Sequence, residues 1–191
     1  MSPSKKAAKP AKAIERKSES AKAASFPWSK FLLGYGLYVF FHEIDRLLPG
    51  TILATIFGEG IESIYAHMKM LFYSYLILSV IDYFRTRASV LPRSFFEARM
   101  LILASAPWMM IIVYYTVEAV GVILPRSIDL PWALVVTAFG LYFCLQLEGP
   151  LGETEFHPGA KWAIRAAFLA ALITYLGFSF AVPDNFFIAV E

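Results

Sequence analysis

The side chains best suited to chemistry crowd three short stretches. His42 and Glu43 stand together, Glu62, Ser63, His67 and Lys69 fall between positions 62 and 69, and Glu118 occupies a third stretch. An imidazole titrates near neutral pH, so His42 and His67 are candidates for acid–base work or proton transfer. Glu62 is the second catalytic candidate. Carboxylates with an ammonium, here Glu43, Glu62, Glu118 and Lys69, suit a polar headgroup, an ion or a small ligand. Helical spacing ties some of these groups together. Tyr35, Tyr38, His42 and Asp45 share a face, Ser63 and His67 are an i,i+4 pair, and so are Tyr114 and Glu118.

These groups must be held at membrane depth. Of 191 residues, 58% are hydrophobic and 17% charged, against roughly 45–50% and about 25% in soluble domains. The apolar residues come in runs of about 17 or more, enough to cross a bilayer. The expected fold is an all-α polytopic membrane bundle of about five spans in a single domain, residues 25–191. Helices are expected over Trp28 to Leu48, His67 to Phe84, Phe96 to Leu124, Trp132 to Leu147 and Trp162 to Phe180. Pro49-Gly50 ends the first, because proline cannot continue the ladder. Residues 51–66 are too short and polar to span and read as an interfacial or re-entrant stretch. Pro107 accommodates the length of the third helix by a kink. Pro125 and Pro131 bracket a tight turn, and residues 148–161, with Glu148, Glu153, Glu155 and His157, form a solvated polar loop. Asp82, one turn from Arg85, reads as its ion-pair partner. Cys144, the single cysteine, packs as a small apolar group.

Residues 1–24 are rich in Ala, Lys and Ser and cannot bury enough apolar surface to order themselves, so they read as a disordered basic tail. They carry no apolar core of a cleavable signal peptide. Contact with anionic lipid headgroups is the expected role, and the lack of interleaved aromatics argues against nucleic acid. Orientation follows from the basic residues. There are eight in residues 1–30, four in 85–99 and two in 148–165, against Arg46, Lys69 and Arg126 on the other side. Cytoplasmic loops are the Lys/Arg-rich ones, which places the N-terminus in the cytoplasm, the C-terminus outside, and the protein in the inner membrane.

Charges inside a span cost about 2.5–3.5 kcal/mol each at its centre and therefore call for an explanation. Three explanations stay open for the cluster in the outer half. The charges pair with one another and snorkel to the interface, they hold a transition metal, or they line a pocket for a substrate or proton. Neither HxxxH nor ExxH spacing is present, and no metal site is assigned.

The string IESIYAHMK at residues 61–69, followed by an aromatic-rich span, resembles an uncharacterised family of small bacterial multi-pass membrane proteins. Its hallmark is approximately Asn-Glu-Ser-x-Trp-Glu-His-x-Lys. Glu62, Ser63, His67 and Lys69 match, Tyr65 stands for the Trp, Ile61 replaces the Asn and Ala66 the second Glu. His42 and the closing GFSFAVPDNFFI fit more loosely. The resemblance implies a membrane fold and weights the 61–69 site, but implies no reaction and no cofactor.

No nucleotide-binding, hydrolase or zinc-protease motif occurs. The expected function is therefore a multi-pass membrane protein with an outward-facing polar pocket. The alternatives are a small membrane enzyme acting on lipids, a transporter or proton-conducting subunit, and a structural or assembly subunit with complex or homo-oligomer partners.

Overall fold

Proline, glycine and capping hydroxyls set most of the helix ends. The computed structural model describes residues 26–58, 63–86 and 91–181. Helix α1, Trp28–Leu47, follows Pro27 and stops ahead of Pro49-Gly50, where Gly50 takes φ +71°, a left-handed conformation that glycine adopts without a Cβ penalty. Thr51 then caps the short α2, Ile52–Phe57, and Ser63 caps α3, Ile64–Arg85. Each hydroxyl accepts a backbone N–H of the first turn, at 3.3 and 3.1 Å. Helix α4 is Phe95–Ala119, α5 is Arg126–Glu153 and α6 is Pro158–Gly177. No strand occurs among the described residues.

Three expectations change here. Pro131 does not close a turn but lies inside α5, as does Pro150. The polar loop expected from residue 148 is helical as far as Glu153, and α6 begins at Pro158, with the His157 ring accepting the N–H of Gly159 at 3.2 Å as an N-cap. An interior proline removes one ladder bond and breaks most water-exposed helices. Pro131 and Pro150 fall within the first and last two turns of α5, so each removes one bond near an end and the ladder persists between them. Glu148 is consequently a helical residue whose position is fixed by α5.

Helix α3 is the axis of the bundle: 67% of its apolar span is buried, against 11% for α6 at the edge. Helix α1 lies against α3 and α5, α4 packs on α3, α5 and α6, and α2 fills the space between α1 and α3. Close approach of α1 depends on Gly34, where a Cβ would stand 2.5 Å from a methyl of Leu78 and 3.0 Å from one of Leu141. The interior holds Tyr38, Phe41, Met68, Phe72, Tyr75, Ile102 and Leu141.

Four helices, Ile64–Arg85, Phe95–Ala119, Ser127–Glu153 and Pro158–Gly177, are long and apolar enough to cross a membrane. Large apolar side chains also face outward along the bundle, including Leu32, Ile112, Val135, Trp162 and Ile173. A water-soluble monomer rarely exposes apolar surface on this scale. The chain is therefore an α-helical membrane protein. Helix α1 has 20 residues, as α6 does, but His42, Glu43, Asp45 and Arg46 make its last third more polar.

Candidate functional site

The antiparallel packing of α1, α3, α4 and α5 gives the bundle two polar ends. One carries the C-terminus of α1, the N-terminus of α3 and the C-terminus of α6. The other carries the opposite ends of those helices, with the N-terminus of α4 and the C-terminus of α5.

The first end holds most of the candidates read from the sequence. The rings of His42 on α1 and His67 on α3 lie 5.7 Å apart, centre to centre, and the Tyr38 ring lies tilted with its centre 6.4 Å from that of His67. A ladder of rings, Phe31, Tyr35 and Tyr38, runs along α1 to this point. The His67 Nδ1 is 2.8 Å from the Ser63 carbonyl. A carbonyl only accepts, so Nδ1 carries the proton and Nε2 presents its lone pair. The His42 Nδ1 is 3.3 Å from Glu43 Oε1, and Arg46 Nη1 donates to Glu43 Oε2 at 2.9 Å. An ionised Glu43 places a proton on His42 Nδ1 in the same way, so in the neutral form of each ring Nε2 is the acceptor.

Lys69 is only two residues from His67, but two residues turn a helix by about 200°, so it points elsewhere. Lys69 is 4% exposed, and its Nζ donates to the Thr55 carbonyl at 3.1 Å and to Ser179 Oγ at 3.3 Å, 5.9 Å from the Tyr65 ring centre. Tyr65 in turn donates to the Tyr175 carbonyl at 2.7 Å. Lys69 thus joins α3 to α2 and to the residues after α6. Ser63 serves as the α3 cap. Glu118 is exposed at the end of α4, and its expected neighbour Tyr114 donates instead to Asp129 Oδ1 on α5 at 2.7 Å. Glu62 and Glu59 lie outside the described residues. The structure therefore brings together His42, Glu43 and His67, and places Lys69 and Glu118 apart from them. Among the described residues no three His, Cys, Asp or Glu side chains gather as metal ligands.

The second end was not found by sequence reasoning. Lys30 on α1, Asp82 on α3, Arg99 on α4 and Glu148 on α5 form one ion-pair network. Lys30 Nζ donates to Asp82 Oδ2, and to both Glu148 oxygens at 2.7 and 2.6 Å. Arg99 donates to Asp82 Oδ2 at 2.9 Å and pairs with Glu148 Oε1. Arg99 Nη1 also donates to the buried Tyr75 hydroxyl at 2.6 Å, and Tyr75 donates to Glu148 Oε1 at 3.1 Å. Asp82 thus pairs with Lys30 and Arg99, one from each neighbouring helix, where Arg85 was expected as its partner. Glu148, expected in a solvated loop, is the most connected carboxylate of the network. Cys144 is buried one turn before it, as its expected packing role requires. A detectable signal does exist: two cations and two anions fall at matched depths on the four long helices α1, α3, α4 and α5. Counting Lys30 and Arg99 as loop charges for the orientation rule concealed it.

A second layer ties the same end to the loops. Arg165 on α6 donates to the buried Glu97 at 3.0 Å, and Arg93 grips Glu155 with two bonds of 2.9 and 2.7 Å. Comparison with models of known protein families, with curated proteins and with solved structures finds no match to this chain.

Proposed function

We propose that this protein is a five-span inner-membrane protein whose biochemical role centres on a ligand pocket where His42, Glu43 and His67 meet, opening on the outer face. The N-terminus is then cytoplasmic and the C-terminus outside. The observation that carries the reading is the imidazole pair, 5.7 Å apart, each ring held through Nδ1 with Nε2 left as an acceptor. Such a pair accepts hydrogen bonds from a headgroup hydroxyl or ammonium, or takes up a proton from a small ligand, without any rearrangement of its supports. The likeness of residues 61–69 to a membrane-protein family supports the same site, with Glu62 beside it in sequence. Contact of the basic tail with anionic headgroups belongs to this proposal, as does the choice among headgroup, ion and small ligand.

Native mass spectrometry of the full chain, released from native membranes in mild detergent, tests it. The wild type and Glu118→Ala are expected to retain a common bound molecule that His67→Ala and His42→Ala lose, with all four unfolding at similar temperatures. Equal retention by all four proteins would refute the pocket. Loss of thermal stability alone in the histidine variants would make the pair structural.

A further inference from the structure

The ion-pair network borders a cleft of about 230 Å³. That is space for about seven waters at roughly 30 Å³ each, and less than the roughly 300–1,000 Å³ of a drug-sized site. Its walls include Asp82, Glu148, Arg99, Thr86, Phe95 and Gly149, while Lys30 is not among them. We propose that this cleft binds a primary ammonium group carried by a small polar molecule. It lies at the opposite end of the bundle from the histidine pair and does not depend on that reading.

The walls choose the chemistry. The cleft sees two carboxylates and one guanidinium, and Lys30 balances the remaining charge from behind. The network is neutral as a whole, so net charge attracts neither a multivalent ion nor an ammonium, and local hydrogen bonding decides. What the cleft offers is local acceptors. All hydrogen bonds to Asp82 fall on Oδ2, leaving Oδ1 without one among the described residues, and the Thr86 hydroxyl has none either. Unused acceptors beside a carboxylate call for N–H donors that carry positive charge, which a primary ammonium supplies three at a time. A quaternary ammonium has no N–H and is held by aromatic faces. The aromatic wall here, Phe95, already has the Arg99 guanidinium 5.0 Å over its ring. Ethanolamine-type groups are therefore favoured over choline-type groups. The ammonium can come from a phosphatidylethanolamine headgroup or from a free amine.

The test uses the full chain in nanodiscs of mixed phosphatidylethanolamine and phosphatidylcholine, with lipid retention read by native mass spectrometry, and in detergent with free ethanolamine, read as a thermal shift. At least tenfold preferential retention of the ethanolamine lipid supports the proposal with a lipid source. A thermal shift with ethanolamine but not with choline supports it with a free source. Asp82→Asn should abolish either signal. Because Asp82 also holds the network, Gly149→Leu is the deciding variant. Gly149 lines the cleft, a Cβ there meets no protein atom within 4 Å, and α5 continues through the position, so a leucine adds bulk at the wall without removing any charged partner; unchanged thermal stability of the variant checks that the ion pairs stay intact. Binding that survives Gly149→Leu, equal retention of the two lipids without an ethanolamine shift, or identical shifts with ethanolamine and choline each overturn the proposal.

Discussion

The two polar ends of this bundle handle charge in opposite ways. At the Lys30–Asp82–Arg99–Glu148 end, four helices each contribute one charged group, and every group finds at least two partners on other helices. At the His42–His67 end the charged contacts of Glu43 are both local, to its neighbour His42 and to Arg46 one turn on, while the imidazoles reach across helices with no hydrogen bond to Nε2 among the described residues. The difference teaches where to look for structure and where for function. Charges that pair with one another across helices fix register, and only an oxygen left over there, Asp82 Oδ1, stays open to a ligand. Polar groups that hold their own orientation and leave an atom to spare are prepared for something else.

The largest effect expected from this contrast is on stability. Arg99→Ala removes a guanidinium bonded to Asp82, Glu148 and Tyr75 and leaves two partly buried carboxylates to share Lys30. Breaking a buried network by deleting one partner costs about 3–5 kcal/mol. His42→Ala, at a half-exposed position with a sequence-neighbour partner, should cost under about 1 kcal/mol, as substitutions away from buried networks do. Unfolding free energies of the two variants in bicelles check the comparison, and similar values for both would remove the distinction between the ends.

A smaller effect tests whether the histidine end is prepared by its local backbone. Ser63 Oγ caps α3 by accepting the Ala66 N–H at 3.1 Å, and its carbonyl orients His67. Ser63→Ala should cost about 1 kcal/mol, the usual value of a lost N-cap. It should also speed hydrogen exchange in the first turn of α3 while leaving the Arg99 end unchanged. Exchange that is unaffected at Ala66 and His67 would show that the cap does not hold the site.

Legibility in the sequence divides along the same line. Local signals survive folding: Pro49-Gly50 ended α1, an apolar run marked each long helix, and the i,i+4 spacing of Ser63 and His67 became a cap and an imidazole anchor. Signals that depend on surroundings did not. Pro131 and Pro150 look like breakers, but both fall near the ends of α5, where each costs the ladder only one bond. Glu148 looked solvated because Gly149 and Pro150 follow it, so its place in the network was lost with the helix. Lys69 was grouped with His67 by closeness in sequence, although the helical turn sends the two to different neighbours. Tyr114 was paired with Glu118 on its own helix, whereas Asp129 arrives from α5, a contact no spacing within one helix encodes.

The smallest effect concerns the rim of the ion-paired end. Arg93 and Glu155 form a two-bond pair of 2.9 and 2.7 Å, but both side chains are mostly exposed, at 70% and 68%. Water screens such a pair, and exposed pairs contribute about 0.2–1 kcal/mol. Arg93→Ala should therefore change unfolding by no more than about 1 kcal/mol, with the difference fading above about 1 M salt, where the screening length is near 3 Å. Arg99→Ala should keep its effect at that salt, because buried charges are screened far less. Measuring both variants across the same salt series separates geometry from burial: two good hydrogen bonds in water count for less than a crowded network out of it.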